Sequence, residues 1–242
     1  MRVLSAGVTL PLWLALCVGT GCARQLSAPE DVVELSFGFE TGPEDWRGAF
    51  ADYPSGREQD FRLTFEHRAL PAELAPQGKA LYLAGDNRSD DLFMFLTREV
   101  TGLRPQASYA LTFELVLASN AGSGCAGIGG APGESVYLKA GASRTEPRTI
   151  ADADGSLRLN VDKGIQASGG ANAQVLGNIA NGLPECSAEA PFRLITRSNA
   201  GTPLLTTTDE RGALWLLVGT DSGFEGTTVL YYDTIRVTLE PR

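Results

Sequence analysis

The side chains able to carry out acid–base or nucleophilic chemistry are few in kind. The chain has one histidine, His67, so a zinc site of two imidazoles or a relay through paired histidines lacks the residues it needs. Carboxylates are abundant, and Glu134, Asp221 and Glu225 could serve a glycoside-acting enzyme, but no spacing selects a facing pair among them. The residues therefore favour a non-catalytic role, with a polysaccharide-acting hydrolase or lyase as the alternative.

Two cysteines, Cys125 and Cys186, lie in loop-like sequence rich in Gly, Ser and Pro. In an oxidising compartment two such cysteines would form one disulfide, which would tie together two long loops with little apolar content of their own. Two unpaired thiols are the alternative. A two-cysteine metal site is disfavoured because no histidine or third cysteine lies nearby in the sequence.

Aromatic rings are the side chains that would bind a sugar, because a ring face packs against the apolar face of a pyranose. Trp46 lies between Asp45 and Arg47 in polar sequence, and Tyr53 follows closely, so both are candidate ligand-binding residues. Trp215 stands in an apolar strand-like segment, a pattern typical of core. Exposed rings at Trp46 and Tyr53 would mark a glycan-binding face.

Charge and composition restrict the class of protein. The net charge is −9, and no cluster of Lys and Arg alternates with aromatic residues, so nucleic acid is excluded as a partner. The chain is 43% hydrophobic and contains 28 glycines and 13 prolines, a composition that favours a turn-rich globular fold over a disordered chain.

Alternating apolar residues predict the strands that position these side chains. Val33, Leu35, Phe37 and Phe39 fall at period two, which places them on one face of a strand. The same alternation recurs at residues 61–65, 80–83, 109–117, 135–139, 156–160, 192–195, 214–218 and 227–239. The continuously apolar run within residues 91–100 is compatible with a short helix, but its length and aromatic residues favour a strand buried on both faces.

About ten short strands without a sustained helical stripe predict an all-β fold, a two-sheet antiparallel jelly-roll-like β-sandwich. Long Gly-rich loops are expected at residues 118–133 and 161–182, the second as an insertion on the sandwich. Long ordered loops on a rigid scaffold are where binding residues tend to lie.

The first residues have the layout of an export signal. Met1 and Arg2 give a basic start, residues 3–18 are apolar, and the run is too short to span a membrane. We therefore predict a signal peptide of the lipoprotein type at 1–21, a tether at 22–31 and a single β-sandwich domain at 32–242.

The Thr-Gly-Cys sequence that ends this segment resembles the lipobox of bacterial lipoproteins. The resemblance implies that Cys22 carries the acyl chains and anchors the protein to a membrane of the cell envelope, through the lipid alone. Gly19 departs from the aliphatic residue usual in that family three positions before the cysteine. Cleavage after Ala23, which would give a soluble secreted or periplasmic protein, is therefore the alternative.

Both ends of the remaining chain resemble jelly-roll carbohydrate-binding modules and related galactose-binding-like domains. Residues 37–42, followed by Trp46, are similar to the opening strand of these modules, and residues 230–237 are similar to their closing strand. Residues 78–83 and 102–113 are similar to strands in between. The resemblance implies a non-catalytic domain that binds a glycan; an envelope protein as partner, or a purely structural role, is the alternative.

In those modules the opening Glu and the closing Asp often hold a structural calcium ion. By resemblance these ligands are Glu40 and Asp233, and carboxylate oxygens suit calcium. The alternative is that Glu40 is a solvated loop residue and that Asp233 bonds to backbone at a sheet edge.

Overall fold

Strands supply all the regular secondary structure in residues 31–74 and 78–242, the part of the chain that the computed structural model describes. Their bounds are β1 Val33–Gly38, β2 Arg47–Ala51, β3 Tyr53–Pro54, β4 Thr64–Ala69, β5 Lys79–Asp86, β6 Phe93–Val100, β7 Ser108–Ser119, β8 Val136–Ser143, β9 Thr149–Ala151, β10 Ser156–Leu159, β11 Ala173–Asn178, β12 Arg193–Ser198, β13 Leu204–Thr207, β14 Leu214–Ser222 and β15 Thr227–Pro241.

Two large antiparallel sheets form the framework. The seven-stranded sheet has the order β12-β7-β15-β5-β4, with β1 also paired to β15 and β13 also paired to β7. The five-stranded sheet has the order β11-β8-β14-β6-β2, and a small sheet is formed by β3, β10 and β9. The predicted all-β, two-sheet jelly-roll-like sandwich is confirmed.

The core lies between the two large sheets. Alternate residues of β7, such as Leu111, Phe113 and Leu115, are fully buried and share one apolar cluster with Leu216 and Val218 of β14. The apolar residues of the period-two pattern that predicted these strands are therefore the side chains that face the core. The segment 91–100 is also a strand, as predicted.

Segment 161–182 is not simply an insertion. Residues 173–178 form β11, an edge strand paired with β8, so only residues 161–172 and 179–182 lie outside the sheet. The burial of β11 is irregular and a bulge interrupts its pairing between Val175 and Gly177, so its sequence lacks a clean alternation. The strand expected at 61–65 begins later, at Thr64.

The outer face of each large sheet carries a smaller apolar cluster, because successive side chains along a strand point to opposite sides. Phe93, Phe95 and Leu217 form one on the five-stranded sheet. Tyr82 and Tyr231 belong to another on the seven-stranded sheet.

Several long loops leave the sandwich at one end. Ser119, the last residue of β7, is opposite Leu230 near the start of β15, and Val136, the first residue of β8, is opposite Ser222 at the end of β14. The same register brings together the loops 87–92, 120–135, 179–192 and 223–226. We call this the loop end.

From Asp31 onward the chain is one compact unit. The predicted signal peptide at 1–21, the proposed lipid attachment at Cys22 and the tether up to residue 30 lie outside the described residues. Within the described part of the chain, no helix is long and apolar enough to cross a membrane.

Candidate functional site

A cavity of about 270 Å³ opens at the loop end. We call it the loop pocket. Three loops and the start of β15 enclose it, and its lining consists of Asn120, Ala121, Gly122, Ala126, Pro132, Ile179, Cys186, Ser187, Ala188, Phe224, Thr227, Thr228 and Val229.

A disulfide builds one wall of the loop pocket. Cys125 and Cys186 are bonded, as the sequence predicted, with their Cα atoms 5.5 Å apart. The loops they join are also linked by hydrogen bonds, from Ser123 N to Leu183 O at 2.6 Å and from Gly182 N to Ser123 Oγ at 3.0 Å. The pocket wall is therefore fixed by covalent and backbone contacts, although it has no regular secondary structure.

A glycine allows the two loops to approach this closely. A Cβ atom on Gly122 would lie 2.0 Å from the backbone oxygen of Glu185, well inside contact distance. Behind the wall, the buried Asn181 donates from Nδ2 to Ser119 O at 3.1 Å and accepts a hydrogen bond from Leu183 N at 2.9 Å. These contacts orient backbone groups that have no strand partner.

Another buried amide side chain, that of Asn87, holds the loop 223–226, which contains Phe224. Asn87 Nδ2 donates to the backbone oxygens of Ser222 and Phe224, at 2.7 and 2.9 Å. Phe224 is partly buried, so a portion of its ring remains accessible at the loop pocket. No sequence pattern singled out this ring, because it lies in a short turn bounded by Gly223 and Gly226.

The lining of the loop pocket contains no charged side chain. Its polar groups are the amide of Asn120 and the hydroxyls of Ser187, Thr227 and Thr228. Thr228 is only 5% exposed, and its Oγ1 has no hydrogen-bond partner among the described residues. Such a cavity can offer hydrogen bonds, an aromatic edge or face and apolar contacts to an uncharged ligand.

A second concentration of functional groups lies on the outer face of the five-stranded sheet. Lys139 and Asp221 are both completely buried, with Lys139 Nζ 2.8 Å from Asp221 Oδ2. Lys163 Nζ lies 2.7 Å from the same oxygen and 3.0 Å from Asp52 Oδ2. We call these four residues the ion cluster, and we call residues 161–172, which include Lys163, the strap.

The ion cluster fixes the strap to the sheet. Lys139 Nζ donates to the backbone oxygens of Lys163 and Ser168, at 2.9 and 3.0 Å, and Gln166 N donates to Asp221 Oδ2 at 2.9 Å. Burial lowers the pKa of Lys139, and Asp221 opposes that shift. Burial also pushes the pKa of Lys163 down, but Asp221 and Asp52 outweigh it and the pKa is raised.

Beside the ion cluster is an open cleft of about 210 Å³ whose lining includes Asp52, Asp91 and Arg158. Arg158 Nη1 lies 3.5 Å from Asp52 Oδ1 and 3.5 Å from Asp91 Oδ2, so these two carboxylate oxygens are separated by no more than twice that distance. Burial raises the pKa of Asp91 to about 6; Lys163 opposes the shift, and Asp221 and Asp52 add to it.

Glu134, Asp221 and Glu225, the acidic residues considered for catalysis, do not form a facing pair in the loop pocket or in the cleft at Arg158. Asp221 is fully buried between two lysines, and Glu134 accepts a hydrogen bond from Gly124 N at 2.9 Å in the loop next to the disulfide. Glu225 is exposed at the mouth of a separate depression.

The expectation that Trp46 and Tyr53 expose their rings is wrong. Trp46 is 2% exposed and packs edge-on against Phe37, with ring centroids 5.5 Å apart. Tyr53 is 7% exposed and packs against Phe61 at 5.4 Å. Both rings belong to the main core, where burying their apolar area outweighs the polar character of neighbouring residues. Trp215 is partly buried on β14.

The residues assigned to calcium make local contacts. Glu40 Oε2 accepts a hydrogen bond from Lys79 N at 3.3 Å, and Asp233 Oδ2 accepts one from Thr234 Oγ1 at 3.0 Å beside a bulge in β15. Across residues 31–74 and 78–242, no three His, Cys, Asp or Glu side chains are grouped so as to hold a metal ion. A structural calcium at Glu40 and Asp233 stays a prediction.

No protein-family model matches the chain, and no curated protein matches it. Among solved structures, TmCBM61 in complex with β-1,4-galactotriose is 16% identical, with 82% of this chain and 92% of that one covered and a TM-score of 0.36. The K1 cleaved adhesin domain of Lys-gingipain from Porphyromonas gingivalis W83 is 14% identical, with 85% and 97% covered and a TM-score of 0.37.

A third similar structure is the enzymatically active domain of tailspike protein 4 of bacteriophage CBA120. It is 10% identical over 79% of this chain, with a TM-score of 0.34, and the chain spans only 19% of its length. Likeness at these scores carries no inference about a ligand or a site in this chain.

Proposed function

We propose that this protein is a non-catalytic binding protein for a neutral glycan and that the loop pocket receives one sugar residue. The observation that carries the proposal is the uncharged lining of the pocket, in a chain of which 20% of the residues are charged. Enclosing a charged ligand there would cost its hydration without an opposite charge in return. A neutral sugar carries no such cost.

The polar groups of the pocket suit a polyhydroxylated ligand. Asn120 and Ser187 offer both donors and acceptors, which sugar hydroxyls need at the same time, whereas Thr227 already donates its hydroxyl proton to Asp86 and can only accept. Phe224 and the small apolar residues of the pocket would contact the apolar face of the ring.

Thr228 supplies a specific contact. A buried hydroxyl without a partner costs about 1–3 kcal/mol, and a rotation about χ1 that turns Oγ1 towards the pocket on binding would let a sugar hydroxyl satisfy it. The disulfide adds to affinity because a wall already fixed in the free protein loses little freedom when the ligand enters.

The test is calorimetric titration and a neutral-glycan array with the oxidised protein. We expect saturable binding that Phe224→Ala abolishes and Thr228→Val weakens about tenfold, the equivalent of one hydrogen bond. Thr220→Val is the matched control, because Thr220 is also buried, at 1% exposure against 5% for Thr228, but lies outside the loop pocket. If the wild-type protein binds no glycan, the proposal fails and a protein partner in the envelope takes its place.

Polysaccharide hydrolysis is a second candidate, favoured by the cleft at Arg158. Asp52 and Asp91 both face Arg158, and the pKa of Asp91, raised to about 6, is that of a group able to deliver a proton near neutral pH. Release of reducing ends from a neutral polysaccharide, abolished by Asp91→Asn and unaffected by Thr228→Val, would establish this activity. Binding without turnover would exclude it.

We also propose that the protein acts at the bacterial cell envelope, anchored through Cys22. The Thr-Gly-Cys pattern supports the anchor, and the disulfide supports an oxidising compartment. Labelling of cells with a radioactive fatty acid should mark the wild-type protein and not Cys22→Ser. Equal labelling of both, or of neither, would contradict the anchor.

A further inference from the structure

An aromatic group lies on the outer face of the seven-stranded sheet, separate from the core. Tyr82 and Tyr231 have ring centroids 5.0 Å apart, and Phe192 lies 5.3 Å from Tyr231 on its other side. We call these three residues the aromatic patch. Tyr82 and Phe192 are partly buried, so a portion of each ring is accessible to a ligand.

The aromatic patch is continuous with the loop pocket. Val229 lines the pocket and also packs in the apolar cluster of the patch. Tyr231 is the next residue of β15 on the same face, about 7 Å further along the strand, and Tyr82 of β5 is directly opposite Tyr231. Phe192 follows shortly after Ala188, which lines the pocket from the other side.

Polar and apolar groups border the aromatic patch. The guanidinium of Arg68 lies over one face of the Tyr82 ring, 4.6 Å from its centroid, and Arg68 Nη1 is 3.4 Å from Glu66 Oε2. Leu194, which is 48% exposed, lies in the same cross-strand row on the opposite side of Tyr231. The parts of the rings that remain accessible can contact the apolar face of a sugar, while the guanidinium and the carboxylate can bond to its hydroxyls.

We propose that the ligand is an oligosaccharide, with one residue in the loop pocket and the following residues crossing Val229 onto the aromatic patch. This inference rests on the proposed glycan-binding function and extends it to the length and path of the chain. The loop pocket, at about 270 Å³, is smaller than the roughly 300–1,000 Å³ of pockets that enclose a whole drug-sized ligand, so it encloses a single unit. The patch provides the additional contact area outside it.

The test is calorimetric titration of the oxidised full-length protein with xylo-, manno-, gluco- and galacto-oligosaccharides of one to six residues. We expect affinity to rise about tenfold or more from the monosaccharide to the tetrasaccharide, the equivalent of one or two aromatic contacts. Tyr82→Ala and Phe192→Ala should each remove part of this rise, together most of it, and leave monosaccharide binding unchanged. Tyr137→Ala, at a partly buried tyrosine of the other sheet, is the control and should change neither.

Equal affinity of the wild-type protein for the monosaccharide and the tetrasaccharide overturns the extended site, and this result does not depend on whether any variant folds. Equal weakening of both ligands by Tyr82→Ala overturns it as well. Failure of the underlying function is distinguishable: then no oligosaccharide of any length binds, or Thr228→Val leaves binding intact.

Discussion

Asp91 provides a quantitative test of the electrostatics on the outer face of the five-stranded sheet. Burial raises its pKa from 3.8 to about 6, and its Oδ1 is buried without a hydrogen-bond partner. A shift of about two units corresponds to about 3 kcal/mol of destabilisation when the carboxyl is ionised. Because the side chain is 26% exposed, solvent screening makes this figure an upper bound.

The sign follows from the direction of the shift. A carboxyl with a raised pKa in the folded state destabilises the fold most above pH 6, and the cost declines as the pH falls through 6 towards 3.8. Asn resembles the protonated carboxyl in shape and charge. We therefore expect Asp91→Asn to raise the free energy of unfolding at pH 7.5 by up to about 3 kcal/mol, and to have little effect at pH 4.

The assay is urea denaturation of the wild-type protein and the variant at a series of pH values. Asp154→Asn is the control, since Asp154 also contacts Arg158, at 3.5 Å, but hydrogen bonds from Ser156 lower its pKa. Its replacement should therefore give no gain at pH 7.5. A variant Asp91→Asn that is less stable than the wild-type protein at pH 7.5, or equally stabilised at pH 4, would refute the reasoning.

Three further substitutions test the other parts of the molecule. Lys163→Met removes one of the two cationic partners of each of two buried carboxylates, since Asp221 keeps Lys139 and Asp52 keeps Arg158, and it should cost about 1.5–3 kcal/mol in urea denaturation. A loss below about 1 kcal/mol would contradict a structural role for the ion cluster. Cys125→Ser removes a disulfide between residues 61 apart in the sequence and should lower the free energy of unfolding by about 4 kcal/mol in the chain-entropy model. It should also make Cys186 reactive to a thiol reagent under denaturing conditions. Labelling of both cysteines in denatured, unreduced wild-type protein would show that the bond is absent. Gly122→Ala should lower the melting temperature and weaken ligand binding, because its Cβ would overlap Glu185 O. Gly201→Ala is the control and should do neither, because no atom lies within 4 Å of the Cβ position there. Equal effects of the two substitutions would show that the two loops do not approach each other closely.

The sequence predicts the sandwich well because core strands carry their own signal. Leu111, Phe113 and Leu115 alternate along β7 and are all fully buried, so composition and periodicity are sufficient there. Trp46 shows the limit of this reasoning. Polar neighbours indicated an exposed loop, but the loop turns the indole onto Phe37, and only the folded chain contains that contact.

The ion cluster could not be predicted for a different reason. Asp52, Lys139, Lys163 and Asp221 are far apart in the sequence, and the pairing of β8 with β14 and the path of the strap bring them together. The sequence around a single lysine in a strand such as β8 does not indicate which carboxylate it will pair with. The loop pocket is similar, because its loops could be marked as candidates from their length and glycine content, whereas its lining depends on how they meet.

The disulfide across the loop pocket also bears on how the protein should be produced. Cys186 is exposed while Cys125 is buried, so one sulfur of the bond is accessible to a reductant from solvent. The main core contains neither cysteine, so we expect the two sheets to fold before the bond forms. Protein produced in a reducing cytoplasm would then pass tests of folding although the disulfide between its binding loops had not formed. A glycan-binding screen on such protein would give a false negative. A thiol titration should precede any binding experiment.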